Sequence, residues 1–272
     1  MKLNIGEHFF SWDRAVVMGI LNVTPDSFYD GGYHNNIDNI LRHCEKMLTE
    51  GADIIDVGAF SSRPGMEIIS AEEEMTRLLP SLSEIRNHFP EAIISIDTFR
   101  KEVAAKAIEY GTHIINDISG GTFDKEMLPY IGENHIPYIM MHSGNNIETL
   151  HSDIINDDPH EVVRSFFEKQ TRFLSQYGEQ QIILDPGIGF NKSKSENFYL
   201  LKDINRYRIN DFPVLIGISR KSLIYKTLKT NPQEALNGTT VLNTVALING
   251  ADILRVHDVK EAVEAVKLVK EL

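Results

Sequence analysis

The chain has very little cysteine: Cys44 is the only one among its 272 residues. One cysteine can form neither an intramolecular disulfide nor a cysteine-based zinc cluster, a composition typical of proteins from a reducing compartment. Ile37, Leu41 and Leu48 lie at helical spacing from Cys44, so we expect a core residue there rather than a nucleophile. We therefore expect a cytoplasmic protein.

Long apolar runs and basic charge are also scarce. Runs such as Val214–Ile218 are far shorter than the roughly 20 residues that span a membrane, and no signal-peptide pattern opens the sequence. The 27 Lys and Arg residues stand against 39 Asp and Glu, giving a formal net charge of −12, which repels a phosphate backbone. We expect no nucleic-acid or membrane partner, and an anionic ligand would need a local cluster of cations.

What the sequence does contain is an alternation of short β-branched segments with longer helical stretches. This pattern is typical of a parallel sheet connected by helices. The predicted strands are Val16–Asn22, Asp53–Gly58, Ile93–Asp97, His113–Asp117, Pro137–Met141, Gln181–Asp185, Pro213–Ser219 and Asp252–His257. Eight such units favour an α/β fold of the (β/α)8 TIM-barrel type, with one domain over residues 1–272, rather than an open doubly wound sheet.

Helix boundaries agree with these strands. A cap residue is followed three positions later by glutamate at Ser70, Ser193 and Asp258, and Asp158-Pro159 opens another helix. Glycines that we expect in the left-handed conformation at helix ends are Gly51, Gly111, Gly178 and Gly250.

Polar residues stand at seven of the eight predicted strand ends, where barrels of this type carry their catalytic groups. Asp97, Asn116 and Asp185 could exchange hydrogen bonds with a flat amino-heterocycle. The cations near the same ends are Arg63, Lys221, Arg255 and His257. The alternative is that charged residues only seal the barrel, but seven polar ends favour a ligand that is heterocyclic at one end and anionic at the other.

The strand-end segments, taken in order, resemble those of the dihydropteroate synthase family. The matching segments are Met18–Phe28, Ser61–Gly65, Ile96–Arg100, Ile115–Gly121, Asp185–Phe190, Gly217–Ser222, Gly238–Thr240 and Gly250–Asp258. Agreement at so many separate segments in barrel order is far more specific than one short motif. The resemblance implies an enzyme of folate biosynthesis and sulfonamide target, which joins 6-hydroxymethyl-7,8-dihydropterin pyrophosphate to para-aminobenzoate, releasing pyrophosphate and using Mg²⁺.

The resemblance also implies residue roles. The pterin would be held by Asp97, Asn116, Ile118, Met140, Asp185, Gly217, Lys221 and Arg255. Pyrophosphate would contact Asn22, Ser62, Arg63, Arg255 and His257, with Asn22 also placing Mg²⁺. Para-aminobenzoate would lie among Phe28, Ser62, Pro64, Phe190, Lys221 and Ser222. The catalytic set implied is Asp97, Lys221, Arg63 and His257.

Three departures from the family pattern stand out. Ser62 and Asn191 replace a usual threonine and glycine, and residues 141–145 read Met-His-Ser-Gly-Asn where Met-His-Met-Arg-Gly is common.

Two other functions compete with the synthase. One is a pterin-binding methyltransferase of a related barrel family, and the other is a non-catalytic pterin-binding paralogue or one half of a complex that needs a partner chain for activity. The Asn22 and Ser61–Gly65 loops fit a pyrophosphate leaving group and argue against the methyltransferase. The second alternative is opposed by the intact set Asn22, Arg63, Asp97, Lys221 and His257. The resemblance also implies a homodimer, for which the apolar face of 233–248, with Leu236, Val241, Val245 and Leu247, is the candidate contact.

Overall fold

The structure is a computed structural model that describes residues 3–5, 8–10, 13–23, 32–59, 69–144 and 157–272. Ten strands occur in these ranges: β1 Leu3–Ile5, β2 His8–Phe10, β3 Val16–Asn22, β4 Ile54–Gly58, β5 Ile93–Asp97, β6 Ile114–Asp117, β7 Tyr138–Met141, β8 Ile182–Asp185, β9 Leu215–Ile216 and β10 Ile253–Val256. The helices of the same ranges are α1 Gly32–Glu50, α2 Ala71–His88, α3 Lys101–Glu109, α4 Met127–Asn134, α5 Pro159–Leu174, α6 Lys194–Lys202, α7 Ser222–Leu228, α8 Leu236–Ile248 and α9 Val259–Val269.

Strands β3–β10 form one parallel sheet in the order β8-β7-β6-β5-β4-β3-β10-β9. The two outer strands meet, because Leu184 of β8 forms a parallel bridge with Val214 and its N–H donates to the Pro213 carbonyl at 2.8 Å. The sheet is therefore a barrel, as the sequence predicts, and all eight predicted strands are present. The main difference is β9, which is only two residues long.

The lumen of the barrel is divided into two halves. Each of the eight barrel strands contributes at least one apolar residue to its N-terminal half. These residues are Val16, Met18, Ile54, Ile93, Ile114, Ile139, Ile183, Leu215 and Ile253. Ile5 of the antiparallel β1–β2 hairpin belongs to the same cluster. The hairpin, which the sequence analysis did not predict, thus closes the bottom of the lumen and leaves the C-terminal end for polar groups.

Outside the barrel, the helices pack on the alternate strand residues, and Cys44 is buried in this second core. The Cys44 prediction is confirmed, and burial raises the pKa of its thiol to about 12. Among the helices of the described ranges, none is long and apolar enough to cross a membrane.

Most predicted helix boundaries are confirmed. The Ser70 hydroxyl accepts from the Glu73 N–H at 3.1 Å, and Ser193 and Glu196 cap each other reciprocally. The four predicted glycines all have positive φ, from 86° to 101°. Asp258 is the exception: its carboxylate accepts from Arg220 at 2.7 and 2.9 Å and makes no cap hydrogen bond, because a bidentate guanidinium is the stronger partner.

Candidate active site

A chain of buried and half-buried charged side chains crosses the C-terminal half of the lumen. Arg255 of β10 donates to Asp97 of β5 at 2.7 Å and to Asp56 of β4 at 2.6 Å. The amide nitrogen of Asn116, on β6, donates to the same Asp56 oxygen at 3.0 Å. Three residues predicted from the sequence are therefore in one hydrogen-bonded network, and the fourth member, Asp56, was not predicted.

This network changes the acid–base properties of Asp97. Burial raises the pKa of Asp97 to about 7, and the negative charges of Asp56, Glu74 and Asp117 act in the same direction against the lowering effect of Arg255. A carboxyl group with such a pKa can change its charge near neutral pH. Asp97 is thus suited to respond to charge that develops on a bound ligand.

Asp185 and Lys221 form the second polar pair of the lumen. Burial raises the pKa of Asp185, whereas the Lys221 ammonium lowers it. For Lys221 the directions are opposite: desolvation lowers its pKa to about 8, and the negative charge of Asp185 raises it. The Gly187 N–H holds the Asp185 carboxylate at 2.7 Å, so the acid has a fixed orientation.

The loop after β8 shapes the environment of Lys221. Its ammonium donates to the Ile188 carbonyl at 2.5 Å and lies 4.3 Å from the centre of the Phe190 ring, which is cation–π geometry. Gly189 has a φ of +88°, and a Cβ there would be 3.0 Å from the Lys221 Cδ. Glycine is therefore required both by the backbone and by the close approach of the lysine.

An apolar patch made of Ile118, Met141 and Phe190 borders these polar groups. Ile118 and Phe190 were predicted, but the prediction of Met140 is wrong by one residue. Met140 packs with the outer core, whereas Met141 is paired in register with Asp185. Because side chains alternate across a strand, Met140 and Met141 lie on opposite faces of β7, and Met141 is the one on the lumen side.

His257 is oriented by Ser219 from the neighbouring strand end. The Ser219 hydroxyl accepts from the His257 N–H at 3.1 Å and lies 3.0 Å from the imidazole Nδ1. The hydroxyl can donate its own proton to Nδ1, and in that tautomer the imidazole proton is on Nε2.

The remaining predicted residues are placed only in part. Asn22 is half-buried at the end of β3, Gly217 faces the Arg255 side chain with 3.8 Å between its virtual Cβ and the Arg255 Cβ, and Ser222 begins α7. Phe28, Ser62, Arg63 and Pro64 lie outside the described residues, so their predicted roles stay predictions.

Two residues that the sequence analysis did not select support this site. Asp56 lies in the middle of β4, and the search was directed at strand ends; a single carboxylate inside Ile54-Ile55-Asp56-Val57 was the available signal. Lys192 donates from Nζ to the carbonyls of His142, Gly187 and Phe190 at 3.0–3.3 Å. It thereby ties the loop after β8 to the loop after β7.

Comparison with known proteins agrees with this geometry. The family model described as "Pterin binding enzyme" matches residues 18–257. A curated dihydropteroate synthase of Synechocystis is 41% identical over 99% of this chain and 94% of its own length. The chain belongs to the dihydropteroate synthase family of pterin-binding enzymes.

Solved structures of the family share the fold as well. The Clostridium difficile dihydropteroate synthase, determined in the presence of pteroic acid, superposes with a TM-score of 0.90 at 36% identity, covering 96% of this chain and 98% of that one. The Yersinia pestis dihydropteroate synthase with a sulfonamide drug gives 0.91 at 35% identity, covering 100% and 98%.

Two departures from the dihydropteroate synthase pattern contact each other in this chain. Asn191, in place of the usual glycine, has a φ of 48°, a left-handed conformation that asparagine tolerates better than most residues. A Cβ on Gly144 would lie 2.2 Å from the Asn191 Nδ2. The asparagine side chain therefore occupies space that is open because residue 144 is glycine.

Proposed function

We propose that this chain condenses 6-hydroxymethyl-7,8-dihydropterin pyrophosphate with para-aminobenzoate to give 7,8-dihydropteroate and pyrophosphate. The observation that carries the proposal is the paired acid and amide set Asp97, Asn116 and Asp185 with Lys221 and Arg255 in the C-terminal half of the lumen. The family relatives supply the chemistry: the Clostridium difficile enzyme was solved with pteroic acid, which contains both halves of the product.

In this reaction the carbon–oxygen bond between the pterin methylene and pyrophosphate breaks, and a bond forms from the arylamine nitrogen to that carbon. The arylamine loses a proton, and the leaving group takes the electron pair of the broken bond. The amine is already a nucleophile, so the protein has to position the reactants and stabilise charge. The pterin becomes electron-poor as the bond breaks, and an ionised Asp97 would stabilise it.

We propose that Asp185 and Asn116 hold the polar edge of the pterin and that Arg255 packs on its face. Lys221 would lie between pterin and arylamine, since its ammonium borders both Asp185 and the Phe190 ring.

The pyrophosphate would be bound at the mouth by Asn22, Ser62, Arg63, Arg255 and His257. In the tautomer in which Ser219 donates to Nδ1, the Nε2 of His257 carries an N–H that a phosphate oxygen would accept.

We further propose that Mg²⁺ binds with the pyrophosphate. In the described ranges no three His, Cys, Asp or Glu side chains group as a metal site, and Asn22 offers a single amide oxygen. That donor set fits Mg²⁺, which is commonly held by few protein oxygens together with substrate phosphates and water. When bound, the ion would neutralise charge on the leaving group.

The protein is also proposed to be a cytoplasmic homodimer. Val241, Val245 and Ile248 form an exposed stripe on α8, with exposures of 53%, 38% and 60%, whereas Leu247 packs against the core. An Ile248→Glu variant should be monomeric by light scattering. Tyr110→Glu, a matched change of an exposed apolar residue on the α3 side, should leave the mass unchanged.

The assay that tests the function uses purified protein, Mg²⁺ and both substrates. We expect pyrophosphate release with equimolar dihydropteroate. Absence of turnover by folded protein that still binds the pterin would instead support a non-catalytic binding protein.

A further inference from the structure

Asp56 is the structural centre of the lumen network. It is fully buried, at 0% exposure, on the inward face of β4. One oxygen, Oδ2, accepts from Arg255 at 2.6 Å and from Asn116 at 3.0 Å. The other oxygen, Oδ1, makes no hydrogen bond to any described residue. The hydrogen bonds of this side chain are thus directed at two residues that the proposed function assigns to the pterin.

These two contacts fix orientations that the pterin would need. A guanidinium is planar and has five N–H donors in a rigid fork. Asp56 accepts from Nε of Arg255, and Asp97 accepts from the terminal Nη2, so two carboxylates on different strands define the guanidinium plane. A guanidinium that stacks on a flat ring needs a fixed plane, and these two hydrogen bonds provide it.

The Asn116 amide is fixed by the same acid. Because its Nδ2 donates to Asp56, its carbonyl oxygen must point to the other side. Without a charged acceptor at Asp56, the amide could rotate by half a turn and present a donor in place of an acceptor. The hydrogen-bonding pattern offered to a heterocycle would then be inverted.

We propose that Asp56 is a positioning residue for the pterin, acting through Arg255 and Asn116 without contacting the ring. A purely structural role explains Asp56 poorly, because a buried ion pair often stabilises a fold no more than apolar residues of the same size do. Its place in the lumen is explained by the orientation that it imposes. This inference rests on the proposed function, since it needs a pterin at Asp97, Asn116 and Arg255.

The test is binding of the pterin pyrophosphate with Mg²⁺, measured by titration calorimetry, to wild type and to Asp56→Asn. The substitution keeps the size and one acceptor but removes the charge. We expect a roughly 10- to 100-fold loss of pterin affinity, the size expected for one charge-assisted hydrogen bond, and an unchanged KM for para-aminobenzoate at saturating pterin.

The matched control is Asp252→Asn. Asp252 also accepts two hydrogen bonds through one oxygen, from Arg208 and the Val214 N–H at 2.8 Å each, but at the opposite end of β10. It should lower thermal stability and leave the pterin affinity unchanged. An equal loss of pterin affinity in both variants would mean that Asp56 acts only through fold stability, and the inference would be wrong.

A double-mutant cycle separates positioning from a direct contact and also serves if Asp56→Asn alone does not fold. Asp56→Asn combined with Arg255→Gln removes both buried charges together. Because the part of the effect that runs through Arg255 is already lost in Arg255→Gln, adding Asp56→Asn should cost less than about tenfold in pterin affinity relative to Arg255→Gln alone, and this remainder is the contribution of Asn116. Full additivity of the two losses would overturn the inference.

Failure of the proposed function gives a different result. In that case wild type itself would not bind the pterin, and both proposals would fall. Wild-type binding with an unaffected Asp56→Asn variant would remove only the positioning role.

Discussion

Replacing Lys221 with alanine should remove most activity while leaving the barrel folded. The ammonium lies 4.3 Å from the Phe190 ring centre and donates to the Ile188 carbonyl. In the proposed complex it is the cation at the junction of pterin and arylamine. Removing one preorganised charge from such a position lowers kcat by roughly 10²- to 10³-fold.

The effect on stability should be small, and its sign follows from the pKa. Desolvation lowers the pKa of Lys221 from 10.5 to about 8, so below that pH the charged lysine is less favourable in the folded than in the unfolded chain. At 1.36 kcal/mol per unit, removing the charge returns roughly 3 kcal/mol. Loss of the cation–π contact and of side-chain packing acts in the opposite direction by a similar amount. We expect a net change in the free energy of unfolding of no more than about 2 kcal/mol.

The assay compares kcat/KM and thermal unfolding of Lys221→Ala with those of Lys226→Ala. Lys226 is exposed on α7, in the same helix that Lys221 precedes, and its loss should affect neither quantity. If Lys221→Ala retained kcat/KM within about threefold of wild type, the proposed role would be wrong. If it unfolded, the stability argument would be wrong, and activity would have to be measured in Lys221→Met.

Three other predictions concern pH, loop geometry and binding order. Because burial raises the pKa of Asp97 to about 7, pterin affinity should increase from pH 6 to pH 8 as the carboxyl ionises. Asp97→Asn should bind the pterin more weakly and without that increase. An equal dependence of pterin affinity on pH in both proteins would exclude Asp97 as the cause. Gly189→Ala should lower both activity and stability, because φ is +88° and the added Cβ would lie 3.0 Å from the Lys221 side chain. The control is Gly178→Ala, where φ is +91° but the nearest neighbouring atom is 3.9 Å away; it should lower stability only. Para-aminobenzoate should bind measurably by calorimetry only after pyrophosphate, Mg²⁺ and a pterin are present. The reason is that pyrophosphate would bring together the loops that carry Phe28 and Pro64, the predicted contacts of para-aminobenzoate. Comparable affinity for the free enzyme would refute this order.

The barrel itself could be predicted because its strands follow a simple pattern. Apolar β-branched runs recur eight times, and the side facing the helices and the side facing the lumen are both buried in the N-terminal half. The β1–β2 hairpin gave no such signal, because strands of three residues are too short for periodicity. The hairpin contributes Ile5 to the apolar cluster in the lumen. That contact depends on the tertiary structure, so the local sequence does not reveal it.

The residues of the site were predictable to the extent that they lie at strand ends. Asp97, Asn116, Asp185 and Arg255 were found in this way, and their mutual hydrogen bonds were not. Asp56 was missed because a polar residue within a strand has meaning only when the face it occupies is known. Met140 was selected instead of Met141 for the same reason, since assigning the face requires the register of β7 with β8.

The charge balance of the lumen connects the site to the reaction. The charged side chains that the described strands and their ends direct into its C-terminal half are Asp56, Asp97, Asp185, Lys221 and Arg255. Ionisation of Asp97 changes the net charge of this set by one unit, so the lumen has a protonated and an ionised state. A pKa of about 7 for Asp97 makes these two states nearly equal in free energy at neutral pH. In the proposed reaction, the ionised state would stabilise a pterin that loses electron density as pyrophosphate departs. The lumen can therefore bind a neutral ring and still oppose the positive charge that develops on it, without any group having to move.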